Sequence, residues 1–229
     1  MRGNAIIIGN SDGIGLAITG ELIKRGWKAT GFSRSNSPIK VKSYNHVIAD
    51  VQDKGFSLKL KSVLEKEGPF DLCIYCVGIG EELDLSRMHG EEEIFNVNLI
   101  GLVKTVSSIL PSMVKKGKGH FIGLSSLADE MLSPEAPSYN ASKAGFSNYL
   151  EGLSLALNKT NVHITNIRFG FVDTKMTKGD IKPFMMTVDR AVKHILKCMD
   201  KKPIRYAAPG IVIPLVKILK WMLRLKTIF

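Results

Sequence analysis

Short apolar runs alternate along this chain with longer stretches whose apolar positions recur at helical spacing. Residues 5–8 are apolar and β-branched and read as a buried strand, too short for a membrane span or a signal peptide. A helical pattern follows at about 16–25. The alternation then predicts strands at 28–32, 46–50, 71–77, 120–124, 162–168 and 204–207. Helices are expected at 54–67, 91–115, 138–158 and 188–199. Apolar strands separated by helices imply an α/β domain with a doubly wound parallel sheet of about seven strands. Ligands of such sheets bind beyond the carboxyl ends of the strands. Gly9, Ser33, Asp50, Gly78, Ser126 and Gly170 all fall at or just after those ends.

The 229 residues suffice for one domain with a single large core. We assign it to 1–210, leaving 211–229 as a separate amphipathic, basic segment. Three cysteines are too few for a disulfide framework and suggest a reducing compartment, hence the cytoplasm. Cys73 and Cys76 have C-x-x-C spacing but lie in an apolar run, and they read as buried thiols. The histidines are isolated, so no metal site is expected. The net charge of +11 fits attraction to anionic lipid, to a phosphate-rich cofactor or simple solubility. A basic stripe with aromatic platforms is not evident, so nucleic acid is not an expected partner.

Two constellations carry chemistry. Gly9, Gly13 and Gly15 stand between the first strand and its helix, with Asn10, Ser11, Asp12 and Ile14 among them. Glycines there permit a tight turn and let backbone N–H groups approach a pyrophosphate at a helix N-terminus. The second is Tyr139 and Lys143, one helical turn apart, with Ser126 upstream. A phenol titrates near pH ~10 and is a poor acid-base catalyst at pH ~7. A neighbouring ammonium is expected to lower that value. Ser126 can donate to the same substrate oxygen. Ser125 and Ser126 also read as a polar strand end, and the spacing to Tyr139 favours Ser126 as the catalytic one.

Together these motifs resemble the short-chain dehydrogenase/reductase family, in its short single-domain branch, from about residue 4 to about residue 208. The resemblance implies a Rossmann-like fold and hydride transfer between a nicotinamide cofactor and a carbonyl or alcohol. It implies Ser126, Tyr139 and Lys143 as the catalytic trio and Asn98 as the fourth catalytic position. Asn98 would shape the long helix and hold a water linked to Lys143. The cofactor set it implies is Gly9, Ser11, Asp12, Gly13, Ile14, Gly15, Asp50, Val51, Gly78, Tyr139, Lys143, Gly170, Val172 and Thr174. Asp50 would meet the adenine edge and Thr174 the carboxamide. Three positions depart from the family's pattern: Tyr75-Cys76-Val77-Gly78 replaces Asn-Asn-Ala-Gly, Phe169 replaces the proline before Gly170, and Ile8 replaces a threonine. The family's members are often dimers or tetramers, so a homodimer or homotetramer is expected.

Cofactor choice turns on the end of the second strand. An acidic residue there favours NAD, whereas here Ser33 is followed by Arg34. Arginine suits a 2′-phosphate, so NADP(H) is expected over NAD(H). Residues 175–187 include Met176, Ile181, Phe184, Met185 and Met186, and either cover an apolar substrate or pack on the core. In the tail, Lys217, Lys220 and Arg224 share one helical face. Leu215, Ile218, Leu219, Met222 and Leu225 share the other, with Trp221 at the border and Lys226 interrupting. Such a helix lies in a membrane interface, contacts a lipid-like substrate, or packs on its own domain or a second subunit. Two functions remain: NADPH-dependent reduction of a ketone or aldehyde, lipid-like or not, or the reverse, and a cofactor-bound sensor or interaction protein that keeps the fold without turnover.

Overall fold

A computed structural model describes residues 2–177 and 182–225. Ile181 and Lys226 lie outside the described residues, as do the side chains of Leu215, Lys217, Leu219, Arg224 and Leu225. The strands are β1 (Asn4–Ile8), β2 (Lys28–Ser33), β3 (Tyr44–Ile48), β4 (Leu72–Tyr75), β5 (Gly119–Ser126), β6 (Val162–Phe169) and β7 (Arg205–Ala208). They form one parallel seven-stranded sheet in the order β3-β2-β1-β4-β5-β6-β7. The helices are α1 (Gly13–Lys24), α2 (Phe56–Glu67), α3 (His89–Phe95), α4 (Gly101–Lys116), α5 (Pro137–Ala156), α6 (Val188–Lys201) and α7 (Ile213–Leu225). The result is the expected single-domain, Rossmann-like architecture.

Strand alternation builds two cores from one sheet. Ile6 and Ile8 face one way, with Phe32, Tyr75 and Phe121, and meet α2, α4 and α5. Ala5 and Ile7 face the other way, with Ile74 and Ile122, and meet α1 and α6. On α1, Ile18, Thr19 and Leu22 supply the buried stripe, at the spacing that places residues on one helical face.

The long helix expected at 91–115 is not uniform. A π-helical turn over Asn96–Ile100 separates α3 from α4. There Asn98 is fully buried, and the Tyr75 hydroxyl donates to the Val97 carbonyl at 2.9 Å. The run His89–Lys116 is long and apolar enough to cross a membrane by composition, but half of that apolar window is buried in the domain. Ile94, Leu102, Val106, Ile109 and Met113 are among its buried residues.

Candidate active site

The glycine loop joins β1 to α1. Gly9 and Gly13 have φ of +86° and +51°, where a side chain would be strained. At Gly15 a Cβ would overlap the Gly9 carbonyl. The loop is therefore a backbone cradle at a helix N-terminus, which fits a pyrophosphate. Asp12 precedes the helix and pairs with Lys175 at 3.1 Å across the exposed rim. Ser11 and Ile14 are partly buried beside it. Across the cradle, a Cβ on Gly13 would lie 3.5 Å from the Thr174 methyl, so the loop after β6 closes onto the loop after β1. Gly170 N–H donates to the Ala208 carbonyl at 2.8 Å, and buried Val172 forms a β-bridge to Met186.

At the other end, Ser33 closes β2 and donates to the Ser35 carbonyl at 2.8 Å. Arg34 is exposed and makes no ion pair among the described residues. Asp50 accepts from Gln52 N–H at 2.9 Å, and the Val51 side chain is buried against Gly101. Cradle, bare arginine and strand-end positions together fit a nicotinamide dinucleotide.

Three of the expected catalytic residues, Asn98, Tyr139 and Lys143, converge around the backbone at Gly78 to Gly80. A Cβ on Gly78 would lie 3.2 Å from Lys143 Nζ and 3.5 Å from Asn98 Oδ1, and one on Gly80 would lie 2.9 Å from the Tyr139 ring. Asn98 Oδ1 accepts from Ile79 N–H at 2.8 Å, while its Nδ2 donates to the Ile79 carbonyl at 2.9 Å and to Ser142 Oγ at 3.0 Å. Lys143 Nζ donates to the Leu124 carbonyl at 3.2 Å and lies 5.9 Å from the Tyr139 ring centroid. Ser126 Oγ accepts from Ala128 N–H at 3.1 Å, which leaves its own proton free to donate. Ser125 turns inward instead, to within 2.8 Å of Ser147 Oγ.

Electrostatics correct one expectation. Burial pushes the Tyr139 phenol up; a hydrogen bond with Ser126 opposes this, and the Asp129 charge adds to it. The lysine-driven lowering expected from spacing does not dominate in this state. Burial instead lowers Lys143 to about 8, against the opposing influence of Asp129 and Cys76. The C-x-x-C pair holds free thiols, and burial pushes Cys76 up to about 12 and Cys73 well above its ordinary value.

Sequence reasoning missed a buried ionic clasp beneath the site. Asp129 and Arg168 have side chains only 2% and 5% exposed. Arg168 Nε donates to Asp129 Oδ2 at 2.6 Å, its second nitrogen lies 2.5 Å from Oδ1, and Ser147 donates to Oδ2 at 2.5 Å. Glu130 accepts from Arg168 at 2.7 Å, from Arg205, and from Lys220 of α7 at 3.3 Å. An arginine inside an apolar strand was the available signal, since a buried charge requires a partner. Lys220 thus turns toward its own domain. On the same helix Ile218, Trp221 and Met222 are each more than half exposed. The 175–187 segment divides: Met186 is buried in the core, while Met176 and Phe184 are exposed.

The family model described as short chain dehydrogenase matches residues 3–183. A Myxococcus xanthus protein described as an oxidoreductase is 30% identical over 203 residues, covering 82% of this chain and 80% of its own. A Vibrio cholerae 3-oxoacyl-[acyl-carrier-protein] reductase is 28% identical over 187 residues, covering 76% and 75%. Among solved structures, a Burkholderia cenocepacia short chain dehydrogenase in complex with NADP superposes with a TM-score of 0.84 at 18% identity, covering 94% of this chain and 91% of that one. A 4-hydroxyisoleucine dehydrogenase complexed with NADH gives 0.83 at 16% identity, covering 90% and 97%.

Proposed function

The chain belongs to the short-chain dehydrogenase/reductase family, and on that premise we propose that it reduces the carbonyl of an apolar molecule with NADPH, or catalyses the reverse oxidation. The observation that carries this reading is the convergence of Asn98, Tyr139 and Lys143 on the Gly78–Gly80 backbone, with Ser126 hydrogen-bonded to Tyr139. A pure sensor needs no such set. The cofactor, when bound, supplies the hydride in one direction and accepts it in the other. Tyr139 gives its proton to the carbonyl oxygen, and Ser126 donates a hydrogen bond that polarises the same oxygen. Lys143 brings its charge beside the phenol and favours the phenolate that proton transfer leaves behind. Asn98 fixes the Ile79 backbone and Ser142 around that lysine. Gly9 to Gly15 and 170–174 would hold the two ends of the dinucleotide, and Arg34 would meet the 2′-phosphate.

Exposed Met176 and Phe184 support an apolar substrate. The outward face of α7, with Trp221 65% exposed, supports peripheral contact of 211–229 with an anionic membrane. Residues 201–229 hold seven Lys or Arg and no Asp or Glu, in keeping with that surface. An apolar groove of Val106, Leu110, Pro111, Val114, Tyr149 and Leu153 on α4 and α5 supports self-association. Three free thiols suit a cytoplasmic setting.

The test is NADPH and NADH oxidation against ketones and aldehydes graded by alkyl chain length. Turnover that prefers NADPH and improves with chain length is expected. Tyr139→Phe should abolish it while cofactor binding persists. Cofactor binding without turnover on any carbonyl would favour the sensor.

A further inference from the structure

A polar chain crosses the first three strands of the sheet edge at the adenosine end. Tyr44 and His46 stand two residues apart on β3 and so share one face. Asn10, in the glycine loop, is fully buried. Its Nδ2 donates to the Tyr44 hydroxyl at 2.7 Å. Tyr44 Oη lies 2.6 Å from His46 Nδ1, and His46 Nε2 lies 3.0 Å from the Ser35 carbonyl and 3.3 Å from Ser33 Oγ.

The polarity of this chain is fixed by its ends. A carbonyl only accepts, so Nε2 carries the imidazole proton toward Ser35. In the neutral ring Nδ1 then accepts from Tyr44, whose oxygen accepts from Asn10 in turn. The contact depends on Gly31 of β2, the register partner of His46, since a Cβ there would overlap both Asn10 Nδ2 and the Tyr44 hydroxyl. The strand is bare where the chain must cross it. The last link grips the residues on either side of Arg34, at the position where this fold discriminates between ribose hydroxyl and ribose phosphate. Asn10 Oδ1 is buried without a partner among the described residues, so the loop end of the chain keeps an unused acceptor beside the cradle.

We propose that His46 is a specificity-determining residue for the cofactor: it holds the Ser33–Ser35 turn so that Arg34 meets a ribose 2′-phosphate, and Tyr44 and Asn10 couple that turn to the pyrophosphate loop. This rests on the NADPH reading above and acts by positioning, through Arg34. It predicts that discrimination is lost when the chain is cut two links away from the arginine.

The test uses the full chain, without any carbonyl substrate, titrated calorimetrically with 2′,5′-ADP and with 5′-AMP. The wild type should bind 2′,5′-ADP at least about tenfold more tightly than 5′-AMP. His46→Ala and Tyr44→Phe should each weaken 2′,5′-ADP by about tenfold and leave 5′-AMP within about twofold. His46→Gln, which can still donate to the Ser35 carbonyl, should restore part of the loss. Tyr44→Phe changes one atom, so it keeps the test valid if His46→Ala fails to fold. Equal weakening of both probes, or of neither, overturns the proposal and leaves the NADPH assignment standing. A wild type that binds both probes equally overturns the two together.

Discussion

Lys143→Met should change how stability depends on pH. The lysine is 4% exposed, and burial lowers it from the ordinary 10.5 to about 8. That gap corresponds to about 3 kcal/mol between the charged and neutral forms. Below pH ~8 the proton is bound in both folded and unfolded chains, and the folded state bears the whole cost of the buried charge. Between about pH 8 and 10.5 the folded state releases its proton first, so stability recovers as pH rises. Methionine removes the titrating group at similar length. The wild-type unfolding free energy minus that of the variant should therefore climb by roughly 2–3 kcal/mol from pH ~7 to pH ~10. Urea unfolding of both proteins in one buffer series, without cofactor, reads this difference directly. Tyr139 is common to both chains, and Cys76, near 12, stays protonated throughout the window. A difference flat within about 0.5 kcal/mol, or one that falls as pH rises, would refute the buried-cation account of Lys143.

Arg168→Met should destabilise the protein by about 3–5 kcal/mol, because Asp129 and Glu130 lose a buried partner. Thermal unfolding should show a midpoint lower by roughly 6–20 °C, and a drop under about 2 °C would mean that the clasp contributes little. Gly15→Ala should weaken NADPH binding by at least about tenfold, read by fluorescence titration, because a methyl there overlaps the Gly9 carbonyl. Unchanged affinity would show that the loop is only a turn.

The sheet was legible because parallel strands covered on both faces are written as continuous apolar runs, as Ala5 to Ile8 and Phe121 to Leu124 are. The positions of Gly9, Ser126 and Gly170 followed from the strand ends. Edges were harder. β3 starts at Tyr44 rather than at 46, since an edge strand carries polar residues such as Tyr44 and Asn45 that hide its start. Pairs made across the sheet were invisible: Asp129 and Arg168 are 39 residues apart, and Asn10 and Tyr44 are 34 apart, with no periodicity to link them. Spacing put Tyr139 and Lys143 on one face but could not say how deeply each is buried, and depth governs the directions in which they titrate.

The π-helical turn at Asn96–Ile100 means that this helical run carries one residue more than its packing requires. Deleting a residue inside that turn would let the backbone close into an ordinary α-helix, with the buried faces of α3 and α4 kept in phase. Deleting one at Ser107 would instead rotate everything beyond it by about 100°, swinging Ile109 and Met113 out of the core. Asn98 sits on the surplus residue's turn. A one-residue deletion can therefore edit this corner of the site without rewriting the scaffold.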